Sequence, residues 1–78
     1  MTAIQFQLNI TGNVNIKVYD MFGKEVITLW DSKLISGEHT FYWFADNNYG
    51  NPVAAGVYYY TISTTTQQIT KPVIFTGQ

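Results

Sequence analysis

The amino-acid sequence predicts an all-β domain, a small antiparallel β-sandwich of six or seven strands. Short runs of alternating apolar and polar residues recur along the chain, and clusters of glycine, asparagine and proline separate them at the roughly 8–12-residue spacing typical of sandwiches. No stretch longer than about one turn has the periodicity of an amphipathic helix. The 78 residues contain no linker-like segment, so we expect a single β-sandwich domain over residues 1–78.

The first two predicted strands are the clearest, because apolar residues occupy every second position. In the first, residues 4–10, the predicted inward set is Ile4, Phe6, Leu8 and Ile10. A turn at residues 11–13 leads to the second strand, residues 14–19, whose predicted inward set is Val14, Ile16 and Val18. Each strand is therefore expected to place one face on the core and the other in solvent.

Two further strands are predicted in the middle of the chain. After a tight connection that contains Gly23 as the expected positive-φ residue, residues 25–30 form a third strand. This strand lacks strict alternation, which favours a β-bulge. Residues 31–37 are predicted to be a polar loop. The fourth strand, residues 38–45, alternates again, and its predicted shared face is His39, Phe41 and Trp43.

The most aromatic strand, residues 57–62, follows a loop dense in turn-forming residues. Gly56 stands at its entrance, where a residue without Cβ lets the backbone bend. Bulky side chains on both faces favour a central position in the sheet, with a predicted core set of Tyr58, Tyr60 and Ile62. The last strand, residues 69–76, contains Pro72, which cannot donate to a sheet ladder and therefore predicts an edge strand.

Charged residues are scarce, and this limits the possible partners. They make up 12% of the chain, against about 25% in a typical soluble domain. A net charge of −1 offers no basic surface for nucleic acid, and no apolar run approaches the ~20 residues of a membrane-spanning helix. We therefore expect neither nucleic-acid binding nor membrane insertion. Low charge also gives little protection against association, which favours a module fused to a larger protein or a subunit of a homo-oligomer.

Residues that could carry chemistry are few, and no enzymatic activity, cofactor or metal site is predicted. The chain has 0 cysteines, and its one histidine, His39, shares a strand face with two aromatic residues and has no marked partner to orient it as a general base. Asp46, Asn48 and Gly50 have the alternate spacing of the start of a calcium loop. The downstream glutamate of such a loop is missing, so a metal-free turn is expected.

Tyrosines and tryptophans could also form a stacking platform for a sugar. The candidates are Tyr42, Trp43, Tyr59 and the neighbouring tyrosines of residues 58–60. Aromatic residues on both faces of a central strand are more often core plus a contact to a fused domain, so core packing is the favoured interpretation and sugar binding the alternative.

Four motifs occur in a recognisable order. Residues 18–26 contain a Tyr-Asp-x-x-Gly-Lys-Glu-Val hairpin, and residues 37–43 a Gly-x-x-x-x-x-Trp strand. Residues 47–60 contain Pro-Val-Ala-x-Gly-Val-Tyr-x-Tyr, the most specific motif, and residues 70–74 read Thr-Lys-Pro-Val-Ile. Together, over about residues 4–75, they resemble the immunoglobulin-like domain of flagellar hook-capping (FlgD-like) proteins and the C-terminal sorting domains of type IX secretion.

This resemblance implies an immunoglobulin-like β-sandwich. The family-motif and candidate interaction positions are Tyr19, Asp20, Gly23, Trp43, Gly56, Val57, Tyr58 and Lys71. Members of the family usually have Trp-Asp/Asn-Gly after the tryptophan strand, where this chain has Trp43 followed by Phe-Ala-Asp.

The leading functional hypothesis is a non-catalytic module of a bacterial-type envelope, acting outside the cell or at its surface in export, attachment or assembly. Its expected partners are proteins: the secretion machinery, a fused passenger or copies of itself. The expected contact surface lies around residues 56–58 and the edge strand with Lys71. Residues 1–8 alternate too regularly for a signal peptide, so any signal is expected outside this chain.

Two alternatives remain open. One is a self-assembling subunit of an extracellular fibre, tube or coat that uses edge-strand contacts. The other, less favoured, is a carbohydrate-binding accessory module.

Overall fold

The computed structural model describes residues 1–76, which form six β-strands and no helix. The strands are β1 (Thr2–Leu8), β2 (Gly12–Asp20), β3 (Glu25–Leu34), β4 (Gly37–Trp43), β5 (Gly56–Ser63) and β6 (Gln68–Phe75). β1 and β4 form a two-stranded sheet, and the other strands form a four-stranded sheet in the order β3-β2-β5-β6. Every strand pair is antiparallel. The predicted all-β antiparallel sandwich is therefore confirmed.

No helix within residues 1–76 has the length and apolar character needed to cross a bilayer.

The core lies between the two sheets and is built from alternate positions on the strands. One buried cluster consists of Ile4, Leu8, Val14, Ile16 and Ile62, and the other of Val18, Trp43, Tyr58 and Val73. The predicted inward face of β2 is confirmed, because its three apolar side chains are at most 1% exposed. Each large side chain buried in this way stabilises the fold by roughly 1.5–3 kcal/mol. A domain of 78 residues has few such side chains, so each one matters.

Two predicted boundaries in the first half of the chain are wrong. Ile10 was expected to point inward but is 73% exposed, because β1 ends at Leu8 and Ile10 lies in the following bend. The predicted loop at residues 31–37 is mostly strand, since β3 continues to Leu34 and pairs with β2 as far as Gly12. Polar side chains here suggested a loop, but an edge strand can point them into solvent without losing its backbone pairing.

Irregular pairing between β2 and β3 confirms the predicted bulge. The register shifts between Ile16 and Lys17 and again between Val18 and Tyr19. At each shift one residue of β3, Leu29 or Val26, has no counterpart on β2. The extra residues explain why apolar positions on β3 do not alternate strictly, since a bulge moves the following side chains to the other face.

Two of the remaining strands, β5 and β6, take the positions in the sheet that the sequence predicts. β5 is central, between β2 and β6, and β6 is an edge strand in which Pro72 lies opposite Tyr59. β4 ends at Trp43, two residues before its predicted end, because the backbone turns away at Ala45, which has a φ of 59°.

Trp43 connects the two sheets at the centre of the second core cluster. Its side chain is 1% exposed, and its ring meets that of Tyr58 edge-on with centroids 5.1 Å apart. Phe75 on β6 lies 6.5 Å away. The indole Nε1 donates a hydrogen bond of 2.8 Å to the backbone oxygen of Asp46. One side chain thus packs against two strands of the opposite sheet and also fixes the loop after β4.

We predict that Trp43→Phe lowers the free energy of unfolding by roughly 2–3 kcal/mol, because it removes ring volume from the core and leaves a carbonyl without its donor. Urea unfolding followed by far-ultraviolet circular dichroism measures the loss. The matched control is Trp30→Phe, since Trp30 is only half-buried and its Nε1 makes a longer bond of 3.2 Å to Ser32. An equal or larger loss in the control would contradict the central role of Trp43.

Candidate functional site

The eight motif positions occupy three kinds of place in the structure. Trp43 and Tyr58 are buried in the core. Asp20, Gly23 and Gly56 shape the backbone at turns and strand ends. The remaining positions are accessible to a partner: Tyr19, Val57 and Lys71.

Asp20 organises the turn between β2 and β3. Its Oδ1 accepts hydrogen bonds of 2.9 Å from the backbone amides of Phe22 and Lys24. Gly23 has a φ of 83°, as predicted, and its amide donates to the Asp20 carbonyl at 3.0 Å. Asp20 and Gly23 therefore serve the turn itself, because an aspartate at this place bonds local amides and glycine adopts positive φ without strain. The turn presents Phe22, which is 87% exposed.

The loop at residues 46–52 is held by asparagine side chains. Asn47 Oδ1 accepts from the amides of Tyr49 at 2.9 Å and Asn51 at 3.1 Å, an Asx-turn arrangement. The loop presents Tyr49, which is 87% exposed. Within residues 1–76, no three His, Asp or Glu side chains lie close enough together to hold a metal ion.

Asn48 joins this loop to the edge of β3. Its amide donates to the Val26 carbonyl, and its Oδ1 accepts from the Thr28 amide, each at 3.0 Å. The Asn48 Nδ2 also donates to Glu25 Oε2 at 3.3 Å, and Glu25 forms a salt bridge of 3.1 Å with Lys17. These contacts pair the open edge of β3 and connect the loop with the β2–β3 hairpin.

The pKa values of this pair follow from its hydrogen bonds. The hydrogen bond with Lys17, followed by those with Thr28 and Asn48, holds the pKa of the Glu25 carboxyl below its ordinary value of 4.5. The same hydrogen bond raises the pKa of Lys17 above 10.5. Both groups are therefore favoured in their charged forms in the folded state.

A cleft of about 370 Å³ lies between the β2–β3 turn and the 46–52 loop. Its lining carboxylates are Asp20 and Glu25, and both are occupied: Asp20 by two amides, Glu25 by Lys17. General acid–base catalysis needs a carboxyl or imidazole within reach of a substrate proton. In this cleft both carboxylates are engaged in structural contacts, one with the β2–β3 turn and one with an ion pair.

Tyr58 fixes the segment that enters β5. Its hydroxyl donates a 2.5 Å hydrogen bond to the Ala54 carbonyl four residues upstream. Gly56, between them, has a φ of 157°. A tyrosine hydroxyl that bonds back to the backbone a few residues upstream is the tyrosine corner of immunoglobulin-like sandwiches. The specific motif of the sequence therefore builds a corner of the fold.

The accessible motif residues lie on opposite faces of the four-stranded sheet. Tyr19, Tyr59 and Pro72 are opposite one another on β2, β5 and β6, and Val57 is opposite Ile74. These five residues form an outer-face patch that points away from the core. Lys71 pairs with Tyr60 and so lies on the other, core-facing side of β6. The structure does not bring Val57 and Lys71 to one surface.

Sequence reasoning missed Ile74, a highly exposed member of the outer-face patch. Ile74 is 75% exposed, whereas Val57 is 36% and Tyr59 38% exposed. Its neighbour Val73 is buried, and this alternation is the signal that could have identified Ile74.

The other residues singled out from the sequence do not form a common site. His39 stacks on Phe6 with ring centroids 5.7 Å apart, and its Nε2 lies 2.7 Å from the Ile35 carbonyl, which is a structural role. Tyr42 is 48% exposed on the outer face of the two-stranded sheet, whereas Tyr59 lies on the outer face of the opposite sheet. With Trp43 and Tyr58 buried, these aromatic residues make no continuous platform for a sugar.

Ala45 gives a testable prediction, because it occupies the position where the resembling family has glycine. Its φ of 59° strains a residue with a Cβ by roughly 1–2 kcal/mol. Ala45→Gly relieves this strain. Against that gain, glycine costs roughly 0.5–1 kcal/mol in backbone entropy, and one buried methyl group is lost. We therefore expect the free energy of unfolding to stay within about 1 kcal/mol of the parent, whereas Ala45→Val lowers it by about 1–3 kcal/mol.

The control for this prediction is Ala3→Gly, at an exposed position of β1 where glycine costs about 0.5–1 kcal/mol. Thermal and urea unfolding measure all three variants. A clearly larger loss for Ala45→Gly than for Ala3→Gly would contradict the strain at residue 45.

Glu25 gives a further prediction, on the pH dependence of stability. Since its pKa is lowered in the folded state, its contribution to stability is fully present above pH 4.5 and is lost as the pH falls through the lowered pKa. Glu25→Gln should therefore lose less stability than the parent between about pH 7 and pH 3. The effect is small, because the pair is exposed to solvent.

Urea titrations at several pH values and low salt test this expectation. Glu38→Gln on β4 is the control, since Glu38 is exposed and has no ion pair within the part of the chain described. Parallel pH curves for Glu25→Gln and the parent would exclude the proposed role of this carboxylate.

Comparisons with known proteins confirm the fold and the FlgD-like part of the resemblance. The family model described as the FlgD Ig-like domain matches residues 2–68. A solved structure of FlgD from P. aeruginosa is similar with a TM-score of 0.70 and 24% sequence identity, a level that shows the fold alone. The match covers 90% of this chain and 54% of that chain, so the present sequence spans about half the length of that FlgD chain. No curated protein matches it. Because the family model covers most of the sequence, this chain belongs to the FlgD Ig-like domain family.

Proposed function

We propose that this chain is a non-catalytic protein-interaction module that works outside the cell or at its surface, as a sorting domain that directs an attached passenger through type IX secretion. Its partners are then the secretion machinery and the passenger. The four motifs of the sequence, in the order found in sorting domains, support this role, as does membership of a family of immunoglobulin-like modules.

The observation that carries the proposal is the outer-face patch. Its members come from three strands and lie side by side on a rigid sheet. Ile74 is 75% exposed and Pro72 is also exposed, so apolar surface faces solvent where sandwich proteins usually place polar residues. Contiguous exposed apolar surface on a soluble domain marks a contact with another protein. A rigid, weakly charged patch of this kind suits recognition by a partner protein.

A role without catalysis is supported by the way that polar groups are used. Asp20, Asn47, Asn48 and Tyr58 each hold a backbone group of the fold. None is left to activate a nucleophile or transfer a proton. The side chains free for other contacts are mostly apolar or neutral, which fits binding.

The second candidate is a self-assembling structural subunit, and one observation favours it specifically. Phe22 and Tyr49, each 87% exposed, lie on the β2–β3 turn and the 46–52 loop, outside the outer-face patch. Apolar groups beyond that patch give one copy further surface through which to contact others, as an open chain of subunits requires. Light scattering separates the candidates: a sorting domain stays monomeric when isolated, and an assembling subunit forms large particles.

The test of the sorting role is a fusion of the chain to the C-terminus of a reporter in a type IX-competent bacterium. We expect the reporter at the cell surface or in the medium. The double variant Val57→Ser and Ile74→Ser should reduce export several-fold without changing the melting temperature, because both residues are partly or largely exposed. The matched control changes two exposed residues to serine: Tyr42 on the outer face of the other sheet, and Phe44 just after β4.

Retention of the parent fusion in the periplasm would exclude the sorting role. Normal export of the Val57 and Ile74 double variant would instead show that the secretion machinery does not recognise the outer-face patch.

A further inference from the structure

Protection against strand addition differs among the four outer strands of the two sheets. Exposed strand edges invite pairing with other chains, and proteins block them with charges, proline, bulges or covering segments. On β3, two register shifts distort the strand, Asp31 and Lys33 add charges, and Asn48 bonds to the edge backbone. β3 is therefore well protected.

β6 and β4 are protected in simpler ways. β6 carries Lys71 and Pro72, and a proline cannot donate to an added strand. β4 carries Glu38, and His39 of the same strand bonds to the Ile35 carbonyl in the short connection from β3.

β1 has none of these protective features. Its sequence, Thr-Ala-Ile-Gln-Phe-Gln-Leu, contains no charge, proline or glycine, and all seven residues pair with β4 in an unbroken register. Within residues 1–76, no strand pairs with the edge of β1 that faces away from β4. β1 thus offers a straight row of backbone donors and acceptors, which is the surface that β-augmentation uses.

A groove lies beside this open edge, because the two-stranded sheet leaves part of β6 uncovered. Ile69, Lys71 and Val73 share the core-facing side of β6, as their opposite residues on β5 do. Val73 is 8% exposed, but Ile69 is 40% exposed and Lys71 is also exposed. At one end of this groove lies a cavity of about 240 Å³, lined by residues 6–13 at the end of β1 and in the bend after it, and by residues of the β5–β6 hairpin. Its apolar lining includes Phe6, Leu8, Ile62 and Ile69.

The charge around the groove indicates what would fit it. No Asp, Glu, Lys or Arg lines the cavity, and Lys71 stands next to Ile69 on the same face. Within the residues that the structure describes, Lys71 forms no salt bridge. The complement of this surface is an extended segment with apolar side chains on one face and a single carboxylate on that same face.

We propose that the open edge of β1 binds such a segment, supplied by a partner polypeptide, as a third strand of the two-stranded sheet. The backbone of the segment pairs with β1, its apolar side chains cover Ile69, and its carboxylate meets Lys71. A second copy of the whole domain fits less well. The uncovered part of β6 lies on the same side as the β1 edge, so two copies joined at β1 would bring their β6 strands together.

The probes are two synthetic heptapeptides of alternating threonine and valine, in which glutamate replaces either the first or the last valine, so that both strand directions are sampled. Nitrogen-15-labelled chain is titrated with each peptide while amide exchange is followed. We expect one peptide to bind, with the β1 amides that do not bond to β4 slowed at least about tenfold in exchange, as strand pairing requires.

Variants of the groove make the test specific. Ile69→Lys places a charge in the apolar groove and should weaken binding at least about tenfold. Its matched control is Thr70→Lys, at an exposed position on the opposite face of the same strand, which should bind like the parent. Lys71→Glu should weaken binding of the glutamate peptide about two- to fivefold, as for an exposed ion pair, and should favour a peptide with lysine at that position.

The inference is overturned if neither peptide binds at about 1 mM, a concentration at which even weak complexes form. It is also overturned if exchange slows on β3 or β6 instead of β1, or if the β1 amides are already protected in a dimer without peptide. Peptide binding is measured on the isolated chain, so its failure is distinguishable from a failure of export. A chain that binds no peptide can still direct the reporter, and a chain that binds peptide can still fail to direct it.

Discussion

The buried indole of Trp43 is the contact on which the rest of this small fold depends. It sits in the core between the sheets, contacts Tyr58 and Phe75 on the four-stranded sheet, and holds the Asp46 carbonyl with its Nε1. That hydrogen bond fixes the start of the 46–52 loop, and Asn48 of the loop in turn pairs with the edge of β3. With 0 cysteines to form disulfides, the chain relies on such multiple contacts from single side chains.

The motif residues identify the family because most of them build the backbone. Asp20 closes a turn, Gly23 takes a positive φ, and Tyr58 forms the corner before β5. Each satisfies a requirement that any sequence with this fold must meet, so the motifs predict the fold well and the partner poorly. Residues that the fold does not use, such as Ile74 and Phe22, are left as apolar groups in solvent, and the proposed contacts rest on residues of this kind.

The sequence predicts well those structural features that depend only on residues close together in the chain. Alternation along one strand is local, and it correctly placed the inner face of β2. Strand ends are less certain: Ile10 continued the alternation but lies in a bend, and the polar end of β3 remained paired. Placing Val57 and Lys71 on one surface required the register between β5 and β6, which depends on tertiary pairing. In the actual register, Lys71 lies opposite Tyr60 and faces the core side.

The unequal sheets explain why this domain has surface left for partners. Two strands cannot cover four, and the short connection from β3 to β4 closes one side of the sandwich, so the uncovered area collects beside β1 and β6. There Ile69 stays 40% exposed although Val73 on the same face is 8% exposed. A further strand beside β1 would bury that area and pair a row of free backbone groups at once. The small size that limits the core of a 78-residue domain therefore also leaves a site for one added strand beside β1.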